Sequence, residues 1–194
     1  MPASENFLIR RLPRTARKHL LDQCALFDLV LSDELSVRGQ PLSHAHFPID
    51  GFVSLVIDVD HYPALEVGMV GREAMLGAEL LLGQAKAPWR ALVQGPGHSW
   101  RIGAQALRRE CATSPALLHL VQTSLLGLIR LMFENIGALG VDDAWLSGQM
   151  SALMEAAAPP LSVRRLEALQ NLANIDTAAF YLGFAGHNAF GVRR

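Results

Sequence analysis

The sequence predicts an α+β chain: an antiparallel, jelly-roll-like β-roll, one long helix and a small α-helical C-terminal segment. Three observations carry this. Between Phe47 and Arg101, short β-rich runs alternate with glycines, which let the backbone turn sharply, so the stretch reads as a compact roll of short antiparallel strands. From Leu118 to Leu139 the residues Leu118, Val121, Leu125, Leu128, Met132, Asn135 and Leu139 follow a 3-4 spacing, the seam of an amphipathic helix. Past Gly140 the pattern changes again, to short helical stretches broken by glycine, alanine and a Pro159-Pro160 pair. The expected boundaries are 1–112 for the roll, 113–140 for the long helix and 141–194 for the C-terminal segment.

Taken in order, Leu12 to Leu21 reads as a short helix with Pro13 near its first turn. Its basic face (Arg14, Arg17, Lys18) fits a solvated surface better than a nucleic-acid site. Strands follow at Leu26–Leu31, Phe52–Val59 and Ala64–Val70, with turns at Asp50-Gly51 and at Asp58 to His61. A helical insert, Ala74 to Leu82, interrupts the roll. Trp89–Gln94 is a further strand, Gly95-Pro96-Gly97 a turn, and Ser99–Ile102 the closing strand. Ala104–Cys111 is a short helix, and Pro115 opens the long one with Ser114 as its N-cap. Two further helices are expected at about Asp142–Ala156 and at Leu161–Leu172.

Composition removes several function classes. The chain has 194 residues, 51% of them hydrophobic, enough for a roll-sized core plus a smaller module. A net charge of −1 gives no global attraction for nucleic acid, so any DNA contact must be local. The longest apolar run, Ala116 to Ile136, carries His119, Gln122, Arg130 and Glu134, which argues against a membrane span. The first residues lack the pattern of a secretory signal, and a cytoplasmic location is expected. Cys24 and Cys111 stand far apart and read as two buried thiols. His44 and His46 share a strand face without an acidic or thiol partner at ligand spacing, so they read as a surface pair and no metal site is expected. Neither a nucleophile elbow, a metalloprotease helix nor a phosphate loop is present, so no catalytic residue is assigned and the chain is expected not to be an enzyme.

The run Phe47-Pro48-Ile49-Asp50-Gly51-Phe52, then Val70-Gly71-Arg72-Glu73-Ala74-Met75-Leu76-Gly77, then Trp89-Arg90-Ala91-Leu92-Val93 resembles, in order and spacing, the sensor domain of the Crp/Fnr family of bacterial transcription regulators. The likeness covers about the first 140 residues. It implies a roll that senses a signal and a long helix that pairs two subunits, with Leu118, Val121, Leu125, Leu128, Met132 and Asn135 as dimer contacts. The same spacing also fits a helix that packs only on its own domain. The clustered N-terminal cysteines of oxygen-sensing relatives are absent, so no iron–sulfur cluster is expected.

In cyclic-nucleotide-binding members of that family, the helical insert cradles the cyclic phosphate, a Glu after a Gly holds the ribose, and an Arg before a small residue and Ala pairs with the phosphate. Mapped residue by residue, the candidates are Arg72, Glu73, Gly77, Glu79, Arg90 and Ala91. The register departs twice. Ala78 follows Gly77, with Glu79 one place later, and Trp89 stands at the expected Arg position, with Arg90 one residue late. A one-residue shift on a strand turns a side chain to the opposite face. A cyclic nucleotide is therefore disfavoured, which leaves another small effector or an insert that only packs.

The closing stretch, Ile175 to Phe190 with Leu182-Gly183-Phe184, resembles the second helix-turn-helix of AraC-type regulators. The candidate DNA contacts are Arg164, Arg165, His187, Asn188, Arg193 and Arg194. Residues 161–194 carry four arginines against Glu167 and Asp176, a net +2. Only 54 residues follow Gly140, fewer than the usual winged helix-turn-helix of the Crp/Fnr family, so a reduced DNA-binding module or none at all is expected. The sequence thus favours a DNA-binding, dimeric regulator with a small-molecule effector. The alternative is a dimeric effector-binding or interaction module without DNA-binding activity. A cupin-like enzyme would need a His/Glu metal set on inward strand positions, which the sequence does not supply.

Overall fold

The computed structural model describes residues 5–57, 64–82 and 86–138. Their elements run α1 (Phe7–Arg11), α2 (Arg14–Asp22), β1 (Ala25–Leu29), β2 (Glu34–Ser36), β3 (His44–Pro48), β4 (Phe52–Ile57), β5 (Leu65–Val70), a 3-10 helix (Ala78–Leu82), β6 (Arg90–Gly95), β7 (Gly97–Gly103), α3 (Ala104–Thr113) and α4 (Pro115–Ala138). The seven strands form two antiparallel sheets, ordered β1-β7-β3 and β2-β6-β4-β5. This is the expected α+β roll, with α3 and α4 following it. The turn at 58–61, the helices expected beyond 140 and the AraC-like stretch lie outside the described residues.

The two sheets share the same chain because four links cross between them, β1 to β2, β2 to β3, β3 to β4 and β6 to β7. Asp50-Gly51 joins β3 to β4, and Pro96 joins β6 to β7, so neither link is a hairpin. These last two touch each other. Gly51 has φ +74, and a Cβ there would collide with the Gly95 carbonyl and lie 2.8 Å from that of Pro96. Only glycine meets both demands. Turn-forming residues alone do not say whether the next strand pairs with the last or crosses to another sheet.

Two elements were not expected. α1 has only five residues, too few for a periodic pattern, and Asn6 holds it. The Asn6 carboxamide oxygen accepts from the Leu8 and Ile9 backbone N–H groups, and its Nδ2 donates to the Pro48 and Ala74 carbonyls at 3.0 and 2.8 Å. One buried side chain therefore caps a helix and ties it to the end of β3 and to the insert. β2 spans three residues and is defined by its pairing to β6. The insert differs as well: its helical part begins at Ala78, because Gly77 takes φ +89 and Leu76 forms a β-bridge with His46.

Pro13 precedes α2, and Ser114 caps α4, its hydroxyl accepting the Leu117 N–H at 3.3 Å. The core joins the inner strand faces (Ala45, Phe47, Val53, Leu55, Val67, Ala91, Val93, Ile102) to Leu107 of α3 and Leu117 and Val121 of α4. Cys111 is buried and Cys24 half-buried. Burial, and secondarily the Glu110 carboxylate, push both thiols up to about 12. No helix of the described residues is long and apolar enough to cross a membrane.

Candidate functional site

The insert between β5 and β6 starts from a tight turn in which the Glu73 carboxylate accepts the Gly71 N–H at 3.1 Å. Arg72 points elsewhere. Its guanidinium lies 4.6 Å from the centre of the Phe7 ring, as does that of Arg10, and its carbonyl accepts the Phe7 N–H. Arg72 and Glu73 thus tie the insert to α1 and to itself. Gly77 then brings the backbone against β3: a Cβ there would sit 2.9 Å from Ala45 Cα and 3.0 Å from the His44 carbonyl. Two residues on, Glu79 is buried, with 3% of its surface exposed, and among the described residues no other residue donates a hydrogen bond to its carboxylate. Burial pushes its carboxyl up to about 7, only partly offset by its own backbone N–H. Arg108 of α3 donates to the neighbouring Leu80 carbonyl at 3.1 Å, which anchors the 3-10 helix.

β6 supplies the second half. Ala91, Leu55 and Gly68 lie in one cross-strand row of β6, β4 and β5, so their Cβ directions share a face of the sheet. Trp89 stands at the bend directly before β6. It is 2% exposed, and its indole N–H has no hydrogen-bond partner among the described residues. Arg90 takes the other direction, opposite Ala91; its Nε lies 3.7 Å from Glu34 and is buried without a hydrogen-bond partner among the described residues. The structure therefore brings Glu79, Gly77 and Ala91 to the interior and leaves Arg72, Glu73 and Arg90 tied to neighbours outside it.

α4 packs on the edge strand β5. A Cβ at Gly68 would meet Leu128 at 3.6 Å and Leu131 and Met132 at 3.8 Å, and α4 also packs on the 3-10 helix and on α3. Of the residues expected to pair subunits, Val121, Leu125, Leu128 and Met132 are buried against their own roll, and Leu118 is half-buried. The intramolecular reading of the 3-4 spacing accounts for that face. Leu118, Leu126 and Ile129 are half-buried along one flank of it. Asn135 lies within α4. The candidate DNA contacts Arg164, Arg165, His187, Asn188, Arg193 and Arg194 lie outside the described residues.

A second polar cluster sits on the three-stranded sheet. His46, read from sequence as a surface residue, is buried: Leu76 bridges its backbone, and its ring stacks edge-on to Phe27 at 5.1 Å. Its Nδ1 is hydrogen-bonded to the buried Ser99 hydroxyl at 3.1 Å. Burial, then the Arg101 charge, then His44 bring its pKa down to about 4. Among the described residues no group of three metal-ligating side chains comes together. Sequence reasoning missed Asn6, Ser99 and the indole N–H of Trp89 as partners in these networks. Only Asn6, standing directly before a short apolar run, carries a local signal.

No protein-family model and no curated protein sequence matches the chain. Solved structures do. A cyclic nucleotide-binding domain from Methylobacillus flagellatus is similar at TM-score 0.60 and 15% identity, over 72% of this chain and 84% of that one. CLP, described as a c-di-GMP responsive global regulator of Xanthomonas campestris, is similar at TM-score 0.58 and 16% identity, over 68% of this chain and 66% of that one. A CooA mutant from Carboxydothermus hydrogenoformans gives TM-score 0.57 at 12% identity, over 76% of this chain and 93% of that one. At such identities the likeness is one of fold. The chain folds as a cyclic nucleotide-binding β-roll, the fold also found in regulators of the Crp/Fnr type.

Proposed function

We propose that this protein is a cytoplasmic, dimeric transcription regulator of the Crp/Fnr kind, whose roll senses a small effector and whose C-terminal residues address DNA. One observation carries the reading: α4 packs on the insert that holds Glu79 as well as on the edge strand β5 and on α3. A ligand bound at the insert would change the surface on which α4 rests. It could act only by preferring one arrangement of α4 over another, and a second subunit paired along α4 would transmit that preference. The flank with Leu118, Leu126 and Ile129 is the apolar surface that α4 leaves half-covered for such a partner. The Glu79 carboxylate, fully buried in the insert with no donor from another described residue, also argues for a site over an insert that only packs.

The test is retention of DNA by the full chain at two salt concentrations, beside a version ending at Gly140 whose folding is checked by circular dichroism. The expected result is salt-dependent binding by the full chain that the shortened one lacks. Equal absence of binding would remove the DNA output and leave an effector-binding dimer.

A further inference from the structure

We propose that the insert is a proton-operated latch: while Glu79 is neutral, the 3-10 helix stays packed on α4 and α3, and ionisation of Glu79 releases it. This rests on the effector reading above and names the effector as the proton, which needs no cavity to bind. Glu79 is the second residue of the 3-10 helix, and that helix packs on both α4 and α3. The side chain is 3% exposed, and no other described residue donates a hydrogen bond to its carboxylate. A neutral carboxyl can stay in such a place, whereas a carboxylate must be hydrated or meet a cation. The other buried side-chain atoms without a partner among the described residues are Ser54 Oγ, Trp89 Nε1 and Arg90 Nε. A hydroxyl and an indole do not ionise near neutral pH, and Arg90, beside Glu34, keeps its charge throughout. Glu79 is the one member of that set whose charge a proton can change.

Among the described residues no cation pairs with Glu79. On α3, Arg108 is committed through its Nε to the Leu80 carbonyl at 3.1 Å, Arg109 is exposed, Glu110 is half-buried and the Cys111 thiol keeps its proton because it is buried. α4 brings the exposed His119 near its start, and Arg130 and Glu134 lie within it. In the insert, Glu73 is turned back to the Gly71 N–H, and β3 adds His44 and His46, whose protons burial drives off. Arg108 already touches the residue next to Glu79. An ionised Glu79 competes with the Leu80 carbonyl for that guanidinium, which loosens the anchor of the helix to α3. The sign follows from burial, which pushes the Glu79 carboxyl up to about 7 against the opposing effect of its own backbone N–H. The packed insert binds the proton at about 7 and a released one at the ordinary 4.5. Release is therefore least favoured below the lower value, grows by up to about tenfold per pH unit between the two, and is level above the higher.

The experiment is backbone hydrogen exchange of the full chain at about pH 5.5 and about pH 7.5, corrected for the intrinsic effect of pH, in the wild type and in Glu79→Gln. In the wild type, protection over residues 76–82 should fall by about tenfold or more from the lower pH to the higher. The stretch 117–132, which loses a packing surface, should follow in the same direction. In Glu79→Gln, whose amide cannot ionise, protection of the insert should hold at both. Equal protection at the two pH values in the wild type overturns the proposal. So does an equal fall in Glu79→Gln, which assigns the effect to another group. Titration of the side-chain carboxyl carbon of Glu79 by NMR keeps the test alive if the variant fails to fold, and a midpoint at the ordinary 4.5 overturns the latch. DNA retention on the same preparations separates the two readings. DNA binding with an insert unmoved by pH leaves a regulator and removes the latch, and a working latch without DNA binding keeps the proton site and removes the output.

Discussion

Two buried ionisable side chains lie close in sequence to one β-bridge, and only one of them has a partner. His46 forms the bridge with Leu76, and its ring is closed in by Ser99, Phe27 and Arg101. Glu79 follows Leu76 by three residues, and among the described residues no other residue donates a hydrogen bond to its carboxylate. The His46 side is a finished piece of core: the ring is neutral, hydrogen-bonded and packed edge-on. At Glu79 the burial is the same and the satisfaction is missing, which in a folded protein marks a place completed by something else. The contrast favours the insert for the proposed effector site and leaves His46 to the scaffold.

The largest expected effect breaks the comparison at its shared hinge. Gly77 stands at φ +89 with Ala45 Cα on one side, so Gly77→Val adds both backbone strain and a clash against β3. Denaturant unfolding should show a loss of about 3 kcal/mol or more. A loss below ~1 kcal/mol would mean that the insert is not held against β3 as described.

The two groups also titrate in opposite senses, which sharpens the contrast. Glu79 keeps its proton more tightly folded than unfolded, so its stabilising contribution is full below its ordinary value of 4.5, falls as pH rises to about 7, and is flat above. His46 binds its proton less tightly when folded, so its contribution is full above 6.5 and falls as pH drops to about 4. Between 4.5 and 6.5 the slopes oppose each other. Glu79→Gln should therefore turn the stability curve upward with pH in that window, its advantage over wild type growing to about 3 kcal/mol above pH ~7. His46→Asn should turn it downward. Thermal or chemical melts across the range check both, and parallel curves for wild type and Glu79→Gln would show that Glu79 has a partner after all.

Much of the roll was legible in the residues. The glycine-punctuated runs at Phe52, Leu65 and Trp89 are strands within one or two residues, and Ser114-Pro115 opens α4 where capping chemistry requires. What escaped was non-local. Asp50-Gly51 has the chemistry of a hairpin turn, yet the chain crosses to the other sheet there, because the choice depends on which strand waits at the far side. The spacing from Leu118 to Met132 describes one apolar stripe equally well against a second helix or against the roll, and here the roll covers it. Strand parity did turn Arg90 away from Ala91, since alternation is a property of the backbone alone. That Glu79 lacks a partner is a fact about every neighbouring element together, and no local pattern carries it.

The central claim is that the interior under α4 biases a DNA-binding output. The direct measurement is the affinity of the full chain for one retained DNA fragment, wild type against Glu79→Gln, across a salt series. The account predicts a change of roughly fivefold or more in affinity, the usual scale of coupling between sites, with an unchanged salt slope because no phosphate contact is touched. Identical affinities in a variant whose pH–stability curve has changed would show that the site and the output are not coupled.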